Sequence, residues 1–230
     1  MTFRLTGKEK KMRYVLIPLC AVLAFVFLKR ENQKQFVTAV ILKGLASLCF
    51  VLLGLLNSSG TKIAERIVWG LLIGCVADVL LNLRMVFPKK GQAIFLIGIL
   101  VFLSGHILYL TAVFPMCQEK MVCVIAAVIL TALLMAWIFR QITAKPAFKI
   151  FGVVYIGAIM MLNCVAADNL MEMPSAFSAI FFAGSILFLV SDIVLILNTF
   201  GSEFRQSLRN TNIGLYYAGQ LLLAMSLLAL

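Results

Sequence analysis

Two aspartates interrupt long apolar runs, and they are the residues of this chain best placed to do chemistry. Asp78 lies in GCVADVLLNLRM, residues 74–85, and Asp192 lies in FLVSDIVLIL. An ionisable side chain in a hydrocarbon environment costs free energy, so each one marks a candidate functional site. Two carboxyl groups in one low-dielectric site differ in proton affinity, because like charges disfavour each other. The pair therefore predicts acid–base chemistry.

Other polar residues lie in the same apolar runs, among them the ionisable Lys43 and His106. In one run Gly70, Gly74, Asp78 and Asn82 recur every fourth residue, which places them on one helical face. The remaining candidates on such faces, or at the same depth, are Tyr109, Tyr155, Ser191, Tyr216, Tyr217 and Gln220.

Each candidate also has a purely structural interpretation, which the sequence leaves open. Asp78 could serve only in an ion pair with Lys43, and Asp192 could cap a helix. His106 could be a satisfied core histidine, and the tyrosines could belong to an interfacial aromatic belt. By contrast, Asp168 and Glu172 fall in a predicted loop, where we expect them to be solvated.

The elements that must position these residues are membrane-spanning helices. The chain has 230 residues, of which 63% are hydrophobic and 13% charged, and the apolar residues form long blocks with short polar gaps. That pattern predicts an all-α membrane protein: one transmembrane domain, residues 1–230, formed by a single bundle of eight helices. The predicted spans are about 14–28, 36–56, 66–83, 93–113, 122–139, 148–166, 177–198 and 212–229. The first is read as an uncleaved helix because no small-residue cleavage site follows it.

The net charge of +11 indicates contact with anionic lipid rather than nucleic acid. The lysines and arginines lie between the apolar runs, at the expected membrane–water boundaries, and no soluble module is left to bind nucleic acid. Both sides of the bundle carry many basic residues, so the positive-inside rule leaves the orientation open. We expect an integral, multi-pass protein of the plasma membrane if the source is bacterial.

The cysteines and the histidine predict no cofactor and no metal. Six cysteines occur without a C-x-x-C pair, and four of them lie inside apolar runs. A cysteine in such a run behaves as a small hydrophobic residue, so neither a disulfide framework nor a metal site is expected. A single histidine excludes a three-histidine zinc centre.

A short internal similarity relates the two halves of the chain. ADVLLNL contains Asp78 and SDIVLIL contains Asp192, and the two aspartates lie 114 positions apart, about half the chain length. A weak parallel duplication of four helices plus four would explain this short similarity.

Depth within the membrane provides a test of whether the candidates meet. A helix rises by about 1.5 Å per residue, so depth can be counted from the side of the membrane that carries the loops after the odd-numbered helices. Four candidates lie roughly 8–10 Å from that side: Lys43, Asp78, Asp192 and Tyr155. Tyr216, Tyr217 and Gln220 fall in the same layer, and His106 lies deeper. The sequence therefore predicts one buried polar pocket that opens toward these loops.

The ordered set ADVLLNL, GILVFLSGHILYL, AGSILFLVSDIVLILNTF and YYAGQLL resembles the YhhN-like lysoplasmalogenase family of integral membrane proteins. The family pattern falls on Asp78 in the third helix, Phe102, His106 and Tyr109 in the fourth, Ser191 and Asp192 in the seventh, Tyr216, Tyr217 and Gln220 in the last, and Lys43 in the second. Two positions depart from the pattern: Ala77 stands where the family has glycine, and Gly44 follows the lysine where the family usually has proline.

The resemblance implies hydrolysis of the vinyl-ether bond of lysoplasmalogens, a class of lysophospholipid, to a fatty aldehyde and a glycerophospho-alcohol. Under this hypothesis Asp78 and Asp192 form the acid–base pair, in an order that the sequence does not decide, and Lys43 keeps one of them ionised. His106 and the tyrosines would hold water or the glycerol oxygen, and the basic loops would hold the phosphate.

Two other classes of function use membrane carboxylates. A small proton-coupled transporter or a non-enzymatic lipid-binding protein is the main alternative, although no span is conspicuously broken at its middle. Intramembrane aspartyl proteolysis is disfavoured because the Gly-x-Gly-Asp context is missing around both aspartates.

Overall fold

The structure is a computed structural model that describes residues 7–230, and it contains eight α-helices and no strand within that range. The helices are α1 Gly7–Asn32, α2 Phe36–Asn57, α3 Lys62–Val86, α4 Gly91–Val113, α5 Lys120–Gln141, α6 Pro146–Glu172, α7 Ala176–Phe200 and α8 Gln206–Ser226. Short 3-10 turns follow α3, α4 and α8. The predicted all-α bundle of eight helices is confirmed.

Seven of these helices, α2 to α8, are long and apolar enough to cross a membrane, as judged by length and composition over the described residues. The protein is therefore an integral membrane protein. Because hydrocarbon offers no hydrogen-bond partners, a helix is the conformation that satisfies every backbone group within one span. The first helix is not among the seven, and its span remains a prediction.

Local sequence signals fix where several helices begin. Thr61 caps α3 by accepting the backbone N–H of Ala64 at 3.2 Å. Ser175 and Ser178 form a reciprocal capping box at the start of α7, which satisfies backbone donors that would otherwise be unpaired. Pro146 occupies the first position of α6, where its missing N–H costs nothing.

The helices enclose a central space. Helices α1 to α4 pack in sequence, α4 then contacts α6, α6 contacts α7, α7 contacts α8, and α8 returns to α1 and α2. Helix α5 packs mainly on α6 and stands at the edge of this ring. Residues from α2, α3 and α8 on one side therefore face residues from α4 to α7 on the other.

Each half of the chain contains an equivalent close contact between glycines of two neighbouring helices. In the first half, a Cβ added at Gly105 of α4 would lie 3.3 Å from the backbone oxygen of Gly70 in α3. In the second half, a Cβ added at Gly219 of α8 would lie 2.9 Å from the backbone oxygen of Gly184 in α7. Gly70 and Gly105 are each 114 positions before their counterparts, the same offset that separates the aspartates. The contacts are consistent with the predicted duplication.

We expect Gly219→Ala to destabilise the protein by about 1–3 kcal/mol, the usual cost of overpacking. The added methyl group would lie 2.9 Å from the oxygen of Gly184 and 3.2 Å from the nitrogen of Phe188, both backbone atoms that cannot turn aside. Gly214→Ala in the same helix is the matched control, because nothing lies within 4 Å of its added Cβ. Melting temperatures of the two purified variants test this, and equal values would contradict the close-packing argument.

The structure corrects the prediction for Asp168. Helix α6 continues to Glu172, so Asp168 lies within it and is only 3% exposed. Its carboxylate accepts the backbone N–H groups of Gln118 at 2.8 Å and Glu119 at 3.2 Å, and thereby caps the start of α5. This tertiary contact explains why the side chain is buried rather than solvated. Glu172 is exposed, as predicted.

Candidate active site

Asp78 is a fully buried carboxylate with a cation and two hydroxyl donors around it. Its Oδ1 lies 3.0 Å from Lys43 Nζ, and its Oδ2 accepts hydrogen bonds from Ser47 Oγ and Tyr216 OH, each at 2.6 Å. The side chain is 1% exposed. Charge-assisted bonds of this kind stabilise the ionised form, so the surroundings of Asp78 favour a carboxylate.

A series of hydrogen bonds between polar side chains leads outward from Asp78. It runs toward the side of the bundle that carries the loops after the odd-numbered helices. Lys43 Nζ donates to Asn82 Oδ1 at 3.4 Å, and Asn82 Nδ2 donates to Glu31 Oε1 at 3.4 Å. Glu31 in turn accepts two hydrogen bonds from Arg209, at 2.9 and 2.8 Å. Burial acts to raise the pKa of Glu31, but the hydrogen bonds and charge of Arg209, together with the charges of Lys43 and Arg84, outweigh burial and hold this pKa below its usual value. Asn82 thus joins the buried ion pair to an outer one.

A further layer of hydroxyl and amide groups holds the donors to Asp78 in place. Tyr217 OH donates to the backbone oxygen of Lys43 at 3.2 Å and lies 3.2 Å from Ser47 Oγ. Gln220 Nε2 donates to Tyr216 OH at 3.2 Å, while Tyr109 OH donates to Gln220 Oε1 at 2.9 Å. Since none of Tyr109, Tyr217 and Gln220 lines the cavity described below, they can act only through their neighbours.

Asp192 has much sparser polar surroundings than Asp78. It is 4% exposed, and among the described residues its carboxyl group accepts one hydrogen bond, from Tyr155 OH to Oδ2 at 2.7 Å. No lysine or arginine of the described chain lies within salt-bridge distance of it. A carboxyl group buried without a counter-ion is more stable in its neutral form.

His106 lies behind Tyr155, the tyrosine that contacts Asp192. Its Nδ1 lies 2.9 Å from the backbone oxygen of Phe102, which fixes the proton on that nitrogen. Its Nε2 is buried and has no hydrogen-bond partner among the described residues. The ring packs edge-on against Phe188 and Tyr155, with centroids 4.6 and 5.5 Å apart. His106 therefore packs against the tyrosine that holds Asp192 and has no direct contact with either carboxyl group.

Ser191 faces away from the cavity, although it directly precedes Asp192. Its hydroxyl donates to the backbone oxygen of Asn212 at 3.0 Å, and Asn212 Nδ2 donates back to Ser191 O and Oγ. Successive helical residues point about 100° apart, so the two neighbours serve different partners. Ser191 fixes α7 to α8.

Both aspartates line one cavity, which is the central observation at this site. The cavity and its mouth hold about 1050 Å³ of empty space. One wall is polar and includes Lys43, Asp78, Asn82 and Tyr216, while Tyr155 and Asp192 contribute the polar groups of the other side. The rest of that side is apolar, from residues of α4 to α7: Phe95, Ile99, Phe102, Met135, Phe139, Phe148, Leu195, Ile196 and Phe200.

Basic residues surround the mouth of this cavity. Arg84, Lys149 and Arg209 line it, and Arg84 stacks on the ring of Phe95, with its guanidinium carbon 4.3 Å from the ring centroid. Within the described chain Arg209 is paired with Glu31, whereas no carboxylate lies within salt-bridge distance of Arg84. The mouth opens on the side that the depth argument predicted, and it is suited to a phosphate group.

Several contributing residues were not predicted from the sequence. Ser47 lies one helical turn after Lys43, and this spacing could have identified it. Glu31 and Arg209 are 178 positions apart, and no local signal pairs them. The arrangement as a whole can hold one ionised and one neutral carboxyl group beside an apolar chain, with a cationic entrance.

The sequence profile of the YhhN family matches residues 38–227. This range contains every candidate residue proposed from the sequence, from Lys43 to Gln220. Searches among curated proteins and among solved structures found no significant match.

Proposed function

Since the chain belongs to the YhhN family, we propose that it is a membrane-embedded hydrolase that cleaves the vinyl-ether bond of lysoplasmalogens. The products are a fatty aldehyde and a glycerophospho-alcohol, and in a bacterial source the membrane concerned is the plasma membrane. The observation that carries this proposal is the single cavity lined by both Asp78 and Asp192.

The cavity can accommodate a lipid with one chain and a charged head group. The aromatic and aliphatic side chains of α4 to α7 offer an apolar surface for the alkenyl chain. Arg84, Lys149 and Arg209 at the mouth can bind the phosphate. This placement brings the vinyl-ether group, which joins the chain to the glycerol, to the level of the two carboxyl groups.

Asp192 is assigned as the general acid. Hydrolysis of a vinyl ether begins with proton transfer to the vinyl carbon that is not bonded to the oxygen. The other vinyl carbon and the oxygen then form an oxocarbenium ion. A neutral carboxylic acid must deliver that proton, and the sparse surroundings of Asp192 favour this form. Tyr155 donates to Oδ2, so Oδ1 is the oxygen available to carry the proton.

Asp78 is assigned as the ionised partner. Its negative charge, held by Lys43, Ser47 and Tyr216, stabilises the oxocarbenium ion electrostatically. It also accepts a proton from the water that attacks this ion, and the product of attack is a hemiacetal. The two carboxyl groups thus divide the roles that the sequence left undecided.

Collapse of the hemiacetal returns both carboxyl groups to their starting protonation states. The proton on Asp78 passes to the departing glycerol oxygen as the carbon–oxygen bond breaks, and the hemiacetal hydroxyl proton passes to Asp192. One water molecule is consumed, one aldehyde and one alcohol form, and Asp192 is again protonated while Asp78 is again ionised. Lys43, Tyr155 and Tyr216 remain in place as positioning or charge-stabilising residues.

The direct test is aldehyde release by the purified, detergent-solubilised protein. We expect aldehyde from a lysoplasmalogen and none from the matched lysolipid with a saturated ether, which has no double bond to protonate. Absence of aldehyde from both substrates would contradict the proposal. Movement of labelled lysolipid or protons across vesicles without aldehyde would instead support the transporter alternative.

We expect Arg84→Gln to raise KM by about tenfold with little change in kcat, because a charge-assisted hydrogen bond to phosphate is worth about 1.5–3 kcal/mol. Lys89→Gln is the matched control, since Lys89 is exposed and does not line the cavity. Steady-state kinetics of both variants test the head-group assignment. An unchanged KM for Arg84→Gln would show that the phosphate binds elsewhere.

A further inference from the structure

A second cluster of reactive side chains lies at the opposite end of the bundle from the mouth of the cavity. Cys117 in the α4–α5 loop, Cys123 in the first turn of α5 and Asp168 near the end of α6 bring their ligand atoms within 4.8 Å of one another. The three residues are 2%, 5% and 3% exposed. Nothing in the proposed hydrolysis uses them.

The spacing of the two sulfur atoms matches that of ligands on one metal ion. Cys117 Sγ and Cys123 Sγ are 3.6 Å apart. Two thiolates bound tetrahedrally at about 2.3 Å from zinc lie about 3.8 Å from each other, whereas a disulfide requires about 2.05 Å. A disulfide would join only the two cysteines, while a metal ion would bind all three side chains.

Hydrogen bonds hold the carboxylate of Asp168 in a fixed orientation, as is typical of carboxylates that bind metal ions. Its two oxygens accept the backbone N–H groups of Gln118 and Glu119, which fixes the orientation of the side chain. Each carboxylate oxygen keeps a second lone pair that can bind a metal. Ligands held by such outer hydrogen bonds are typical of metal sites.

The chemistry of the ligands favours a divalent cation of borderline softness. Two thiolates and one carboxylate supply three negative charges near the N-terminus of α5, whose exposed backbone dipoles partly offset them. Sulfur ligands select zinc over magnesium or calcium. The exposed neighbours Gln118, Glu119 and Lys120 show that the cluster borders water, from which a metal ion and a fourth, water ligand can enter.

We propose that Cys117, Cys123 and Asp168 form a structural zinc site that ties the start of α5 to the end of α6. Helix α5 packs mainly on α6, yet it contributes Met135 and Phe139 to the apolar wall of the cavity. A cross-link at its far end stabilises the helix that closes this wall. The spacing of the cysteines alone predicted no metal site. It could not identify this one, because the third ligand, Asp168, is distant in sequence from the two cysteines.

The test is zinc stoichiometry of the full-length protein in detergent. The protein is incubated with zinc chloride, separated from free metal and measured by plasma mass spectrometry. We expect about one zinc per chain in the wild type and a loss to background in Cys117→Ser, Cys123→Ser and Asp168→Asn. Cys164→Ser is the control, because the thiol of Cys164 lies outside the cluster, and it should retain the metal.

Two measurements on the wild type alone keep the test independent of whether the variants fold. Cobalt(II) in place of zinc should give thiolate charge-transfer absorption, and a strong chelator should lower the melting temperature of the zinc-loaded protein. Equal zinc in the wild type and all three variants, a wild type without zinc, or a Cys117–Cys123 disulfide in the intact mass would each overturn the proposal. None of these readouts depends on enzymatic activity.

Discussion

Asp192→Asn should lower kcat for vinyl-ether cleavage by about a thousandfold, within the range known for loss of a general acid. Asparagine has the same shape and can still accept the hydrogen bond from Tyr155, but it has no proton to give to carbon. Because Asp192 has no cationic partner among the described residues, its replacement should leave little strain. We therefore expect a melting temperature close to that of the wild type.

Glu172→Gln provides the matched control for this variant, since it also exchanges a carboxylate for an amide but at an exposed site far from the cavity. It should retain full activity. Aldehyde release and thermal unfolding are measured on the same preparations. A well-folded Asp192→Asn variant with near-wild-type kcat would remove Asp192 from the mechanism.

Lys43→Met should destabilise the protein by about 3–5 kcal/mol, because it leaves the carboxylate of Asp78 buried without its cation. Asp78→Asn should be destabilising for the converse reason, since it leaves Lys43 unpaired. The double variant Lys43→Met/Asp78→Asn removes both charges, and it should be more stable than either single variant. All three should lack activity.

Unfolding free energies of the four proteins, obtained by SDS titration in mixed micelles, form a double-mutant cycle. A coupling energy well above about 1 kcal/mol is expected for contacting charges in a buried site. Additive effects of the two single substitutions would show that Lys43 and Asp78 are not an ion pair. Recovery of stability without recovery of activity would separate the structural role of the pair from its catalytic role.

The two halves of the chain place unlike groups around their two aspartates. At the offset of 114 positions, Asp78 corresponds to Asp192, but Lys43 corresponds to Gly157 and Phe102 to Tyr216. One aspartate therefore has a cation and a tyrosine that the equivalent positions around the other lack. Asp192 is buried without these polar partners, and a carboxyl group in such surroundings is more stable in its neutral form.

Much of this site could be predicted from periodicity and depth. Of the residues that recur at every fourth position of α3, Asp78 and Asn82 line the cavity. Helix rise alone placed Lys43, Asp78 and Asp192 in one layer. These arguments work because a membrane span has a fixed length and direction, so that position in sequence converts directly into depth.

The remaining features depend on contacts between distant segments. Burial of Asp168 follows from its capping of α5, and the Glu31–Arg209 pair joins the first and last helices. Ser191 entered the candidate set through its place beside Asp192, but its face of the helix meets α8 instead. No local pattern encodes which neighbour a face will meet.

Hydrolysis in heavy water tests most directly the claim that the neutral carboxyl group of the pair, Asp192, protonates the vinyl ether on carbon. The aldehyde is trapped by reduction as it forms, and the resulting alcohol is analysed by mass spectrometry and NMR. The account predicts one solvent deuterium on the carbon next to the former carbonyl, added from a single face, with the product lost in Asp192→Asn. An aldehyde that carries no solvent deuterium at this carbon would contradict it.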